Sequence, residues 1–384
     1  MTISSFFCPT RIFLGVDSYR KLHDVIGGYG CKRLFIALDA ALVRSELFER
    51  LEALLKSQGV EYLVFTDIEP DPSAITVGKA FDACMAHKAT ALLAIGGGST
   101  IDVAKAVGIL ATNGGRIHDY EGIEKFSTPP LPLIVIPTTA GTGSEVSGSC
   151  VITDTTTQRK MSIRHAALNP AAVAILDPLA VRTVPGHVAA HSGMDAFVHA
   201  FESYISLQAN AFTDAINIQA LKLIAGNIRQ FVSNRGNVEA ASNMLYGSAL
   251  AGMTFGQTGL GNVHCMARFI GASLHLSHGL SNAVCLPHVA RFNLIANPQK
   301  YANIAAAMGC HVEGLTTLEA AQAAVEAIGN LCLDLGIPAR LRDLGANEAD
   351  FDEMAEECLN AGYNRWNPRQ TTRSDFRQLL QQAF

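Results

Sequence analysis

Charge is scarce in this chain. Asp, Glu, Lys and Arg make up 16% of its 384 residues, and 29 basic against 34 acidic residues leave a formal net charge of −5. No long basic run occurs, which excludes the electrostatic footprint of a nucleic-acid binder. Long apolar runs are missing too: stretches such as Ala91 to Ile95 have the length of a strand and fall far short of a membrane span. The start, Met1 to Pro9, has no basic region leading into an apolar segment, so no signal peptide is expected. No Cys-x-x-Cys pair exists among the nine cysteines, which are odd in number and scattered. A disulfide scaffold or zinc ribbon is thereby disfavoured, and a reduced, cytoplasmic setting is expected. What is abundant is hydrophobic residues, at 49%. That composition packs a core, and the length suits two domains.

The first half alternates short apolar runs with helical stretches. Strands are predicted at 33–38, 61–66, 90–95, 131–136 and 171–176, and helices at 45–57 and 75–87. This alternation predicts a mostly parallel, doubly wound sheet of the Rossmann-like α/β class. The β-like segments 149–153 and 160–164, separated by a polar stretch, predict a hairpin. From about Pro185 onward helical spacing dominates, at 195–207, 213–231, 239–255, 298–308 and 317–335. The expected division is an α/β domain over 1–183 and an all-α domain over 184–384.

Two glycine-rich turns follow predicted strands. In Gly96-Gly97-Gly98-Ser99 the chain turns and a helix is expected to open at about Ser99. Glycines let backbone approach a pyrophosphate, and the free N–H groups of a helix start hold the anion. This is not the spaced G-x-G-x-x-G fingerprint, and a tight turn with Ser99 as helix cap explains it equally well. The second turn runs Pro137-Thr138-Thr139-Ala140-Gly141-Thr142-Gly143-Ser144-Glu145. Its hydroxyls suit phosphate and ribose, and two such turns at parallel strand ends converge where open α/β sheets bind ligands. Asp39 ends an early strand. There it either accepts from a ribose 2′-hydroxyl and repels a 2′-phosphate, or caps the next helix.

A second constellation lies in the helical half. Asp195 and His199 are four apart, ~40° out of register on a helix, and together can grip a divalent ion. An intrahelical hydrogen bond is the commoner outcome of such a pair. His264 and His278 are the candidate further ligands; His118, His191, His275 and His288 are set aside. One carboxylate with three imidazoles suits Fe²⁺ or Zn²⁺ with a position left open for substrate.

Taken together, Gly96–Ser99 with Asp102 and Ala104-Lys105, the 137–145 turn, Gly193 to Glu202, and His278-Gly279 with Asn282-Ala283 resemble the iron-containing (group III) alcohol dehydrogenases over nearly the whole chain. The resemblance implies the dehydroquinate synthase-like superfold, with an active site in the cleft between its domains. It implies a metal- and NAD(H)-dependent enzyme acting on a short alcohol or aldehyde, with Fe²⁺ (Zn²⁺ the alternative) on Asp195, His199, His264 and His278. The nucleotide residues implied are Asp39, Gly96, Gly97, Gly98, Ser99, Asp102, Thr138, Thr139, Thr142, Ser144 and, near the nicotinamide, Lys160. A homodimer or higher oligomer is the expected assembly, with no nucleic-acid or membrane partner. The competing readings are a glycerol-dehydrogenase-like or dehydroquinate-synthase-like enzyme and a non-catalytic relative. One departure stands out. Where the family has a second histidine four residues after the ligand, this chain has Arg268, which cannot relay a proton as imidazole does. Arg268 is therefore a candidate to bind a carboxylate, sulfonate or phosphonate tail on the substrate, with Gly148 and Ser149 leaving room beside it; pairing with a local carboxylate or the pyrophosphate is the alternative. Ser277 replaces the proline common before the His-Gly pair, which reads as a minor change.

Overall fold

The computed structural model describes residues 5–157 and 159–384, which divide into two compact units. One is Phe7–Val184; the other is Pro185–Phe384 together with the first described residues up to Phe6.

The first unit runs β1 (Arg11–Leu14), α1 (Leu22–Gly28), β2 (Arg33–Leu38), α2 (Glu46–Ser57), β3 (Glu61–Phe65), α3 (Ala74–His87), β4 (Ala91–Gly96), α4 (Gly98–Asn113), β5 (Gly122–Ile123), β6 (Leu133–Pro137), β7 (Ser149–Asp154), β8 (Arg159–Arg164) and β9 (Val173–Leu176). Six strands form a parallel sheet in the order β1-β9-β6-β4-β2-β3. Successive side chains of a strand point to opposite faces, and here both faces are buried. Phe35 and Ala37 of β2, with Leu92 and Ala94 of β4, join the core under α3 and α4. Leu34, Ile36, Leu38, Leu93 and Ile95 join the core under α1 and α2. That is why these strands read as continuous apolar runs instead of alternating ones. The hairpin of β7 and β8 pairs antiparallel in register from Ser149↔Arg164 to Asp154↔Arg159. Edge strand β1 escaped the sequence reading: it has four residues, and Arg11 and Leu14 are exposed, so no burial pattern marks it.

The second unit is helical: α5 (Gly186–Ile205), α6 (Ala211–Ser233), α7 (Val238–Thr258), α8 (Asn262–Leu274), α9 (His278–Asn293), α10 (Pro298–Ala307), α11 (Thr317–Asp334), α12 (Phe351–Asn360) and α13 (Arg373–Ala383). Helix α5 packs against α6, α7 and α9, and α8 lies against α9 and α12. Helix α5 begins more than two turns before the expected Asp195, and all its residues from Gly193 to Ile205 are buried. Its first turns, 186–192, mix Gly and His with only Ala189 and Ala190 buried, so they carry little apolar periodicity and the onset is hard to read.

Candidate functional site

The order of the parallel sheet reverses between β2 and β4, because the chain adds β3 on one side of β2 and then returns to the other. Ligands bind open α/β sheets at the carboxyl ends of strands beside such a reversal. Asp39 stands at the end of β2, its N–H donating to the Ile95 carbonyl of β4 at 3.0 Å. Its carboxylate accepts the Ala41 N–H at 3.0 Å, so it caps a short 3₁₀ turn.

Both glycine turns meet at this edge. Gly96 pairs with Pro137 across β4 and β6, and the Thr138 N–H donates to the Gly96 carbonyl at 3.0 Å. A Cβ on Gly96 would stand 2.4 Å from Thr100 Oγ1, and one on Gly98 would stand 2.8 Å from Thr142 Cγ2. The turns thus pack backbone against side chain with no space for a methyl group. Helix α4 starts at Gly98, with Gly97 at the N-cap position and no side-chain cap. The alternative in which Ser99 caps the helix does not hold: Ser99 lies inside the first turn, where backbone N–H groups have no helical partner. Gly97, Gly98, Ser99, Thr139 and Thr142 are all partly accessible there.

Asp102 and Ser144 do different work. The Asp102 carboxylate accepts the Ser144 hydroxyl at 2.7 Å and the Val151 N–H at 2.8 Å. Lys105, only 3% exposed, donates to Ser144 Oγ and to the carbonyls of Ser147 and Ser149 at 3.1, 2.9 and 2.7 Å. Burial lowers the Lys105 pKa and Asp102 opposes that shift. The side chains of Asp102, Lys105 and Ser144 brace the second turn against α4. Lys160 pairs with Asp71 at 2.6 Å on the β7–β8 hairpin side. The smallness of Gly148 has a local cause: a Cβ there would stand 2.8 Å from the His165 carbonyl oxygen.

In the helical unit, Asp195, His199 and His264 bring donor atoms to within 4.8 Å of one another, all buried. His199 Nδ1 lies 3.9 Å from Asp195 Oδ2, and His264 Nε2 lies 3.6 Å from Oδ1. His199 is stacked between Phe255 of α7 and His264, with ring centroids 4.3 and 4.7 Å apart. His278 opens α9 and is not part of this tight trio. Its Nε2 is 3.6 Å from Asp195 Oδ1, and its side chain is 44% exposed. Gly279 permits that approach, since a Cβ would stand 2.1 Å from the His191 carbonyl oxygen.

The donor chemistry fits a divalent cation. Glu202, 2% exposed, accepts His264 Nδ1–H at 2.7 Å and the N–H groups of Val263 and His264 at 2.6 and 3.3 Å. One carboxylate thereby caps the first turn of α8 and turns the Nε2 edge of His264 toward Asp195. Ligand bonds of ~2.0–2.1 Å in a tetrahedron set donor atoms about 3.4 Å apart, close to the spacings here. Burial would raise the Asp195 pKa, yet His199, His278 and His264 hold it well below the ordinary carboxylate range. Burial would lower His264, but its bonds to Asp195 and Glu202 carry it up to about 9. Positive charge is wanted at this point. Asn282 donates to Asp195 Oδ1 at 2.7 Å and lies 3.2 Å from Nε2 of both His264 and His278. Glu202, Asn282 and Lys105 lay within the motifs without being assigned to the site, and Phe255 had no sequence signal at all.

Comparison with known proteins agrees with this architecture. The family model described as iron-containing alcohol dehydrogenase matches residues 9–178, and that described as Fe-containing alcohol dehydrogenase family, C-terminal, matches residues 189–384. The chain is 40% identical to 1,3-propanediol dehydrogenase of Citrobacter freundii (99% of this chain, 98% of the relative). It is 36% identical to an NAD-dependent methanol dehydrogenase of Bacillus methanolicus (100% of both). It is 34% identical to a sulfoacetaldehyde reductase of Bilophila wadsworthia (97% of both). A crystal structure of 1,3-propanediol oxidoreductase superposes with a TM-score of 0.97 at 40% identity, covering both chains completely. The chain belongs to the iron-containing alcohol dehydrogenase family, an oxidoreductase of alcohols and aldehydes for which iron and NAD(H) are the family's cofactors.

Proposed function

We propose that the unit up to about residue 183 holds NAD(H), that the unit from about 184 holds the metal, and that the chain interconverts a short primary alcohol and its aldehyde. The observation that carries this reading is the buried carboxylate–imidazole set, with Glu202 orienting His264. Asp195, His199, His264 and His278 are the metal ligands in this reading, His278 being the one nearest solvent. A divalent ion held there supplies a Lewis acid to the alcohol or carbonyl oxygen, and the nicotinamide supplies or accepts the hydride. The protein's part is positional. Glu202 keeps the His264 proton on Nδ1, Asn282 holds Asp195 by one oxygen, and Phe255 shields the His199 ring from water. The backbone N–H groups at the start of α4 bind the pyrophosphate, Thr138, Thr139 and Thr142 line the second turn, and Asp39 selects NAD(H) over NADP(H). Lys160 lies on the nicotinamide side, while Asp102 and Ser144 serve the nucleotide by bracing that turn.

His264→Ala and His278→Ala should each lose the metal and turnover while NADH binding persists. Retention of metal and rate by His278→Ala would remove it from the ligand set.

Arg268 follows His264 by one turn of α8, which supports a role in binding an anionic substrate tail; the sulfoacetaldehyde reductase relative is named for such a substrate. The test compares sulfoacetaldehyde and succinic semialdehyde with propanal and butanal on wild type and Arg268→His. A charge-assisted contact of roughly 1.5–3 kcal/mol gives a ten- to hundredfold preference. Preference of the wild type for neutral aldehydes, unchanged by the substitution, would end this reading.

The proposed assembly is a homodimer or larger, supported by exposed Leu14 at the end of edge strand β1 and Val16 just beyond it. Sedimentation checks it. Nine free cysteines support a reducing, cytoplasmic setting, and no helix among the described residues is long and apolar enough to cross a membrane.

A further inference from the structure

Helix α5 carries more imidazole than the primary ligand set uses. His187, His191, Asp195 and His199 follow one another at intervals of four, so each lies ~40° from the next and they form one row along the helix. The row runs from exposed to buried: His187 is exposed, His191 half-buried, and Asp195 and His199 buried. At its outer end the His187 and His191 rings have centroids 6.0 Å apart, inclined at 71°.

His191 is held in place from outside its own helix. Its Nδ1 lies 3.1 Å from the Ser277 hydroxyl. The start of α9 is pressed onto α5 at the same point, where Gly279 meets the His191 carbonyl. The hydroxyl can accept Nδ1–H, and in that tautomer the Nε2 lone pair is available to a ligand, as it is in metal-bound histidines. Ser277 is the residue that stands where the family commonly has proline, and a proline there has no hydroxyl to offer. Burial and the neighbouring His187 lower the His191 pKa, which favours the neutral ring.

We propose that His187 and His191 form a second metal site, separate from the Asp195 set, for a borderline divalent transition metal such as Zn²⁺, Ni²⁺ or Cu²⁺. Imidazole selects these ions over Mg²⁺ and Ca²⁺, which prefer oxygen. Two Nε2 atoms on one ion at ~2.0–2.1 Å bring ring centres to about 5 Å, which rotation of the exposed His187 side chain achieves from 6.0 Å. With two protein ligands, water completing the shell, and Arg235 beside Gly186 at the helix start, the site is weaker and more exchangeable than the primary one.

The experiment uses the iron-loaded enzyme, titrated with Zn²⁺ under anaerobic conditions by calorimetry, with bound iron and zinc counted by elemental analysis. The wild type should take up one further Zn²⁺ per chain with its iron retained. His187→Gln and His191→Gln should each weaken that uptake at least ~tenfold, and Ser277→Pro about tenfold, all three keeping their iron. His187 is exposed, so His187→Gln leaves helix packing intact, and Cu²⁺ paramagnetic resonance gives a second reading: nitrogen couplings in wild type, lost in His187→Gln. Absence of a second zinc equivalent, uptake only at the expense of iron, or undiminished uptake in His187→Gln with nitrogen couplings unchanged would overturn the proposal.

Discussion

Two buried carboxyl groups, one in each unit, are pushed in opposite directions. Asp195 lies among three imidazoles and is held well below the ordinary carboxylate range. Glu145, at the end of the second glycine turn, is raised to about 7 by burial, which its own backbone hydrogen bond and Lys105 only partly offset. The helical unit therefore keeps a buried anion because positive charge belongs beside it. The α/β unit buries Glu145 with Lys105 offsetting only part of the cost, and its ligand surface is proposed to be built from backbone N–H groups instead. One unit presents charge and the other presents backbone dipoles, so different substitutions should break them.

The largest expected effect concerns Glu145. Its folded pKa of about 7 exceeds the ordinary value of 4.5, so the folded state binds more protons between those values. Stability should therefore fall as pH rises from about 4.5 to 7, by about 3 kcal/mol. Glu145→Gln should remove this slope, raising the denaturation midpoint at pH 8 relative to wild type with little change at pH 4.5. Parallel pH profiles for the two proteins would show that Glu145 is not the buried acid described.

Next comes the glycine turn. Gly98→Val drives a side chain into Thr142 and should weaken NADH binding about a hundredfold, ~2.7 kcal/mol, while iron content stays at the wild-type level. Fluorescence titration and elemental analysis read the two separately. If iron falls as steeply as nucleotide affinity, the division of labour between the units is wrong.

Glu202→Gln tests the converse. The substitution keeps a hydrogen-bond acceptor for α8 but removes the charge, and should cost ten- to a hundredfold in metal affinity. NADH binding to the metal-free protein should be unaltered. Equal metal affinity in variant and wild type would reduce Glu202 to a helix cap.

The smallest effect is expected at Asp39. Asp39→Gly removes the like-charge clash with a 2′-phosphate and should narrow the NADH-over-NADPH preference by roughly tenfold. It also removes the cap on Ala41, so thermal stability should drop slightly alongside. A wild type using both cofactors with equal efficiency would exclude the selecting role.

These contrasts explain what could be read early. The parallel strands were legible because β2 and β4 are buried on both faces, and the glycine turns because close backbone approach leaves no substitute for glycine. Strand β1 was not, being a four-residue edge. The proposed ligands were legible as residue types: Asp195 and His199 share one helix, and His264 and His278 lie at the starts of two others. The work of Glu202, Asn282 and Phe255 was not. Each acts on a residue far along the chain, as Glu202 does on His264, 62 positions away. No local spacing encodes such a contact.

By itself the sequence determined the class of the fold, the two glycine turns and the chemical identity of the candidate ligands, because these depend on short-range pattern and on side-chain type. Tertiary structure alone decided which polar groups are spent inside the protein. Asp102 and Ser144 bond each other, Lys160 takes Asp71, and Ser277 reaches His191. Hydrogen bonds act over about 3 Å, and only packing brings residues tens of positions apart to that distance.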